Sequence, residues 1–396
     1  MLPSAIADLF PADERESLVR LRRDLHEHPE LSFAERRTCE RLHAALAPLD
    51  TRRLDRVAET GLVARIRGRD PAAPLVAVRG DIDALPIQEA TGLPFASRTP
   101  NVMHACGHDV HASWAVGAAY LLAMTPAQGD VLVVLQPAEE TGRGAAAVLE
   151  SGALDDVRAI FGGHVDRRFA VGQVVAEAGP LAAAADTFRI ELTGRGGHGA
   201  RPQEGADPIV AAAALVGAMQ TIVSRRLDPA RAAVVTVGTI HAGSAPNVIP
   251  DSAVLEGTLR AVDADTRQTL HEEMRRLAGT LASAYGVSAR VAIDLGPPPI
   301  VNPPEAAAWA RTATVAVLGQ QALTPLGTLN MGGEDFAYYM ERIPGCFLRI
   351  GAREAGGEPI PAHSARFYAA EESLFIGAAV LAETARVASK AIAAGA

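Results

Sequence analysis

The chain has 396 residues, 48% hydrophobic and 21% charged, with a net charge of −9. This balance supplies core for two or three domains and excludes long disordered tracts and collagen. The acidic charge argues against a nucleic-acid partner, and the single lysine, Lys390, excludes a P-loop GK[ST] and disfavours a lysine Schiff base.

The first fifty residues read as helices. Leu18, Leu21 and Leu25, then Cys39, Leu42 and Leu46, recur at helical spacing among charges. His26, His28 and His43 fall here and are expected to be solvated or capping. The N-terminus lacks a basic segment followed by an apolar one. The longest nearly apolar run, Ala112 to Met124, is too short for a bilayer. Cys39, Cys106 and Cys346 are too few and scattered for a disulfide framework. These features predict a cytoplasmic protein with no membrane partner.

From Gly61 the pattern changes to short apolar runs, LVARI, PLVAVRGDIDALP, DVLVVLQPAEE and AIFGGHV, each ending in polar residues. They read as buried strands, with alanine-rich helices between them, in an α/β arrangement with a mixed sheet. The middle of the chain differs. Strand DTFRIELTG is followed by a helix with Asp207 as N-cap and Pro208 at its first position. Strands AAVVTVGTIHAG and AVLEGTLRAV, a helix ending at Gly286 and strand SARVAIDL complete a β-α-β-β-α-β order. The proline-rich GPPPIVNPP reads as a linker. The expected organisation is an α/β catalytic domain, its mixed central sheet flanked by helices, built from residues 1–185 and 296–396. A ferredoxin-like domain is inserted at residues 186–295. In the last part a helix, loop MGGEDFAYYM, strand CFLRIGA, loop PAHSARF and a closing helix follow in turn.

Four segments carry side chains suited to metal chemistry. MHACGHD places Cys106 and His108 two residues apart, around Gly107. LQPAEE places Glu139 and Glu140 side by side, so one carboxylate can bind metal while the other holds a water as general base. GGHVD places His164, and PAHSARF places His363, after apolar strands. All four fall near predicted strand ends, where open α/β sheets build their sites. Cys, His, Glu, His and His suit Zn²⁺ or another borderline ion. Singly, Cys106 also fits a small core residue, the two glutamates a solvated pair, and each histidine a structural role. Their joint occurrence favours chemistry.

The runs RGDIDALPI, MHACGHD, LQPAEE, GGHV, GRGGHGARP, APNVIPD, GTLR, GGEDFAYY and PAHS resemble the M20 metallopeptidase family. The likeness is to the amidohydrolase branch that holds hippurate hydrolases, N-acyl-amino-acid amidohydrolases and indole-acetyl-amino-acid hydrolases. The resemblance implies two divalent transition-metal ions per subunit, zinc or manganese with nickel or cobalt as alternatives. Their ligands would be Cys106, bridging as thiolate, His108, Glu140, His164 and His363. It implies Glu139 as general base and Asp83 as a supporting carboxylate. His198 would reach a neighbouring subunit's site, with Asn247 and Arg260 near the substrate's carbonyl or carboxylate. It also implies a homodimer formed through the inserted domain. Asp81 stands where most branches carry a ligating histidine, which leaves metal identity open.

His104 and His111 flank the ligand run and could support it. His241 could shape a pocket or bond at a strand end, and Glu334 and Asp335 could cap backbone amides. His271, on a charged helix, is expected to be solvated. The glycines of GRGGHG lack a dinucleotide context and read as room for the backbone around His198.

The expected activity is hydrolysis of the amide of an N-acyl amino acid. A dipeptidase or carboxypeptidase on the same site, a thiol hydrolase using Cys106, and a non-catalytic binding protein are the alternatives. The last predicts a lost base or ligand, and none is lost here.

Overall fold

A computed structural model describes residues 3–395. The chain divides into two compact units. The first comprises the chain up to Gly179, Asn302–Thr328 and the part from Asp335 onward, and the second Pro180–Val301 with Leu329–Glu334. The second unit therefore starts before residue 186 and runs past residue 295. The expected proline-rich linker contains a short strand, Ile300–Asn302, paired with Gly179–Ala182, and Ala182 bridges to Asn330.

The first unit is built on a seven-stranded sheet. In spatial order its strands are Thr51–Val57, Gly61–Ile66, Val131–Gln136, Leu75–Asp81, Val157–Ala170, Gly345–Arg353 and Val174–Val175. The four strands from Val131–Gln136 to Gly345–Arg353 run parallel, and the flanking pairs are antiparallel. Leu75–Asp81 and Val131–Gln136 are buried throughout, as strands covered on both faces must be, and this is why they read as unbroken apolar runs. Alanines of the helices His108–Met124 and Glu372–Gly395 join the core of this unit, their small side chains letting backbones approach closely.

Three elements depart from expectation. Thr51–Val57 is an edge strand whose residues are mostly exposed, so its charges hid it. Phe336–Met340 is a short helix inside the expected loop. The strand carrying His164 runs on to Ala170, so His164 lies within it.

The second unit has a four-stranded antiparallel sheet in the order Ala233–Ala242, Ser252–Ala261, Ala184–Thr193, Ser288–Asp294. Phe188, Ile190 and Leu192 alternate into a core completed by Ala211, Leu215 and Met219 of one helix and Leu270, Met274 and Ala278 of the other. Asp207 accepts the Ile209 amide at 2.8 Å and Asp263 that of Thr266 at 2.8 Å, capping the two helices. The helical stretch Pro208–Arg226 exceeds Ala112–Met124 in apolar length and is, by length and composition alone, sufficient to cross a membrane. Its apolar residues are partly those of the core just described. His271 is buried, correcting the expectation of a solvated side chain. Its Nε2 lies 2.7 Å from Asp186, a buried carboxylate that also accepts from Arg267 and needs such partners.

Candidate metal centre

The strands of the first unit deliver their polar ends to one cluster. Gly107, with φ +89°, turns the chain so that His108 opens the helix His108–Met124. A side chain there would also collide with Val165, since an added Cβ would lie 2.5 Å from its Cγ2.

Two triads of possible ligand atoms share one sulfur. Cys106, His108 and His164 form the first, and Cys106, Glu140 and His363 the second. The Cys106 sulfur is 3.1 Å from His164 Nε2, and His363 Nε2 is 3.4 Å from a Glu140 carboxylate oxygen. The backbone amide of His363, at φ +66°, donates to Ala105 O at 2.8 Å and ties its loop to the turn before Cys106.

The ring nitrogens are set for this. His108 Nδ1 donates to Asp83, at 2.9 Å to the carbonyl and 3.1 Å to the carboxylate. Its Nε2 is then left facing the cluster, buried and without a hydrogen-bond partner, as is Glu140 Oε1. His164 Nδ1 donates to Val165 O at 2.6 Å, which turns Nε2 toward Cys106. Asp83 also accepts the Glu140 amide at 3.0 Å and the Ser32 hydroxyl at 2.7 Å, so one buried carboxylate orients two proposed ligands.

The electrostatics favour a cation. Burial, with the Glu140 carboxylate adding to it, pushes the Cys106 thiol well above its ordinary range against the pull of His108. A thiolate here at neutral pH requires a compensating positive charge. Burial, with His111 and Arg349 nearby, holds His164 well below its usual range, in the neutral form that ligates. Orphaned buried donor atoms, an S/N/O donor set and a thiol in need of a cation together fit two divalent ions sharing Cys106.

Glu139 stands next to this set. One carboxylate oxygen is 3.8 Å from His108 Nε2, and the other accepts the Asp335 amide at 3.4 Å. Asp81, at the position where a ligating histidine was expected in relatives, accepts from His111 Nδ1 at 2.6 Å and from Arg79 at 2.6 Å. The Val165 amide donates to His111 Nε2 at 2.9 Å. Both nitrogens of His111 are thereby used, so Asp81 and His111 prop the backbone beside His164 instead of ligating. His104 is buried with neither ring nitrogen hydrogen-bonded. Asp335 accepts from Arg79 at 3.0 Å, from Gln136 at 2.8 Å and from the Ala145 amide at 2.9 Å, where the helix Gly144–Glu150 begins.

Sequence reasoning missed several supports: Ser32 lies 51 residues from Asp83, and Arg79 and Gln136, though inside the runs singled out, meet Asp335 across 256 and 199 residues. It also misread His26. That residue is buried, with Nδ1 2.8 Å from Asp109 and Nε2 3.2 Å from Glu89, behind the start of the His108 helix. Asp109 has Arg22 as a further buried partner at 2.8 Å. A charge so enclosed needs both partners, and no short-range pattern announces them.

In the second unit, a two-stranded ladder sets His198 opposite Val248, and the Gly199 amide donates to Asn247 O at 2.8 Å. His198 and Asn247 are thus neighbours, both exposed, whereas Arg260 lies on the separate four-stranded sheet. The Ala200 amide donates to His198 Nδ1 at 3.0 Å, which places the proton of a neutral ring on Nε2. His241 is exposed near the end of its strand.

The family model for peptidase family M20/M25/M40 matches residues 77–387. An N-acetylcysteine deacetylase of Bacillus subtilis is 42% identical over 371 residues, 93% of this chain and 96% of the relative. An IAA-amino acid hydrolase ILR1-like protein of Arabidopsis thaliana is 38% identical, covering 93% and 84%. The crystal structure of a dinuclear metal binding peptidase of the M20 family from Bacillus subtilis superposes with a TM-score of 0.84 at 38% identity, covering 95% and 98%. The chain belongs to the M20/M25/M40 peptidase family, and it is a hydrolase.

Proposed function

We propose that this protein hydrolyses the amide bond of N-acyl amino acids, releasing a carboxylic acid and the free amino acid. The observation that carries the reading is the pair of ligand triads joined at Cys106, with the Glu139 carboxylate beside them. The deacetylase and IAA-amino acid hydrolase relatives are named for amides of this kind.

Cys106, His108 and His164 would hold one divalent ion and Cys106, Glu140 and His363 the other. Zinc or manganese is the expected metal, with nickel and cobalt as alternatives. Such ions supply Lewis acidity to the amide carbonyl and bring the pKa of water toward about 7. Glu139 takes the proton of the attacking water and returns it to the leaving nitrogen. Asp83 keeps His108 and the Glu140 backbone in register with it. His198 donates from Nε2 to the developing oxyanion, in a neighbouring subunit's site. Asn247 binds near the carbonyl, and the planar fork of Arg260 pairs with the substrate carboxylate. Homodimerisation through the second unit is part of this reading. The exposed edge strand Ala233–Ala242 supports it, as a surface suited to symmetric pairing. A cytoplasmic location accords with three free cysteines, all buried.

The test is a metal-supplemented hydrolysis screen over N-acetyl, N-benzoyl and longer acyl amino acids, with dipeptides alongside. Turnover of acyl amino acids that disappears on chelation and in Glu139→Gln is expected. Turnover of dipeptides alone moves the assignment to a dipeptidase, and activity that survives chelation but not iodoacetamide moves it to a thiol hydrolase.

A further inference from the structure

The loop that presents Glu139 and Glu140 begins with a residue in an unfavourable conformation. Ala138 is fully buried and has φ +53°, a left-handed region in which the Cβ of an alanine crowds the following carbonyl. Such a conformation persists only where the surroundings impose it. The carbonyl of Ala138 accepts the Gly144 amide at 3.1 Å and the Thr141 hydroxyl at 3.1 Å, closing the loop on itself. Its amide has no acceptor within the loop and points instead to Glu35, whose Oε1 lies 2.9 Å away.

Glu35 belongs to a distant part of the chain. It is the N-cap residue of the helix Arg36–Leu46, it is fully buried, and its Oε2 accepts the Thr60 hydroxyl at 2.5 Å. Nothing in the proposed reaction uses it. Yet it completes a symmetry around the base. The amide before Glu139 ends on the carboxylate of Glu35, and the amide after it, that of Glu140, ends on the carboxylate of Asp83 at 3.0 Å. Glu139 is the one residue between two backbone amides fixed by buried carboxylates from different elements.

We infer that Glu35 is a positioning residue for Glu139, holding Ala138 in the left-handed turn that directs the base. This rests on the reading of Glu139 as general base. A carboxylate is a strong acceptor for a buried amide, and its removal leaves that amide unsatisfied. The turn then relaxes toward an ordinary conformation, and the side chain one residue on swings with it. Burial pushes the Glu35 carboxyl up, against hydrogen bonds from Thr60 and Ala138. Either protonation state leaves Oε1 able to accept from Ala138, with Oε2 facing the hydroxyl. A glutamine at this position reproduces that arrangement, because its amide group can donate to the Thr60 oxygen.

The experiment compares Glu35→Gln with Glu35→Leu in the zinc-loaded and manganese-loaded full chain. It measures kcat and KM, metal stoichiometry and hydrogen exchange at the Ala138 amide. Glu35→Leu is expected to lower kcat by roughly 10-fold to 10²-fold, the cost of a displacement near 1 Å, with KM and two bound metals unchanged. The Ala138 amide should exchange faster. Glu35→Gln should restore both kcat and protection. A Leu variant with full kcat and a protected Ala138 amide overturns the proposal. So do Leu and Gln variants that lose metal and activity together, which marks a purely structural role. If Glu35→Leu does not fold, Thr60→Val removes the hydroxyl that orients the same carboxylate. It should speed exchange at Ala138 and lower kcat in the same direction, and no change in either overturns the proposal. Glu139→Gln runs alongside. Full activity in that variant defeats the base assignment, while exchange at Ala138 still judges whether Glu35 holds the turn.

Discussion

The two units hold the side chains proposed for function by opposite means. In the first, all the proposed ligands except His363 are mostly buried, and His108 and His164 each have one ring nitrogen committed to a neighbour. In the second, His198 and Asn247 stand exposed on a two-residue ladder. Burial with fixed partners suits groups that must share a small, highly charged volume, where a misplaced dipole is costly. Exposure on a short ladder suits groups that meet something arriving from outside. A neutral His198 with its proton on Nε2 has little to do until an acceptor is brought to it.

The sharpest way to test the buried side of this contrast is Glu139→Gln. It should keep both metals and lower kcat by at least about 10²-fold, the usual loss with a general base. Metal analysis and steady-state kinetics on the same preparation check it. The exposed side is tested by mixing His198→Ala with Glu139→Gln, each expected to be inactive alone. If the proposed dimer forms, one site of a mixed pair has its own Glu139 and the partner's His198, so activity should partly return once subunits exchange. Exchange demonstrated by mass without recovered activity breaks the comparison. Asp83→Ala leaves His108 Nδ1 with only the backbone carbonyl of residue 83 and the Glu140 amide without its acceptor. A loss of roughly 10-fold to 100-fold in metal affinity is expected, measured by chelator competition. His198→Ala should leave metal affinity unchanged.

The smallest effect lies in the second unit's own stability. Burial alone would raise the Asp186 carboxyl, but hydrogen bonds from Arg267 and His271 outweigh it and hold it below its ordinary 3.8. A carboxylate whose folded pKa is depressed contributes stability above the unfolded value, and that contribution is lost as pH falls through the folded one. Asp186→Asn should therefore lower the midpoint of urea unfolding at pH 7. The gap between variant and parent should narrow steadily below pH 3.8. A gap independent of pH would show that the asparagine fails for reasons of shape.

What could be read from sequence follows the same division. The residues proposed as ligands stood out in sequence as His, Cys and Glu in short polar runs between apolar ones, although His164 lies inside its strand and His363 ten residues past the end of Gly345–Arg353. Parallel strands placed side by side bring the segments that follow them to one end of the sheet. The supports were not legible. Glu35 is 103 residues from the amide it holds, His26 is 83 from Asp109, and Arg79 is 256 from Asp335. Side chains joined across such separations leave no periodic trace. Thr51–Val57 was missed for a different reason, since an exposed edge strand has no apolar face to display. The second unit was easier, because Ala184–Thr193 alternates cleanly and Asp207-Pro208 marks a helix start by local chemistry alone.

The interruption of the first unit has a consequence for the order in which the protein comes into being. Val157–Ala170, which carries His164, pairs with Gly345–Arg353, a strand synthesised only after the whole of Pro180–Val301. During synthesis that edge must wait, and an unpaired apolar edge is where chains aggregate. The second unit closes almost entirely within one continuous stretch and can fold while the ribosome is still at work. By doing so it brings the two ends of the interruption together and shortens the effective loop that the late strand must close. His363 then arrives within the last tenth of the chain. The proposed triad of Cys106, Glu140 and His363 is thus completed only near the end of translation, whereas that of Cys106, His108 and His164 does not need His363.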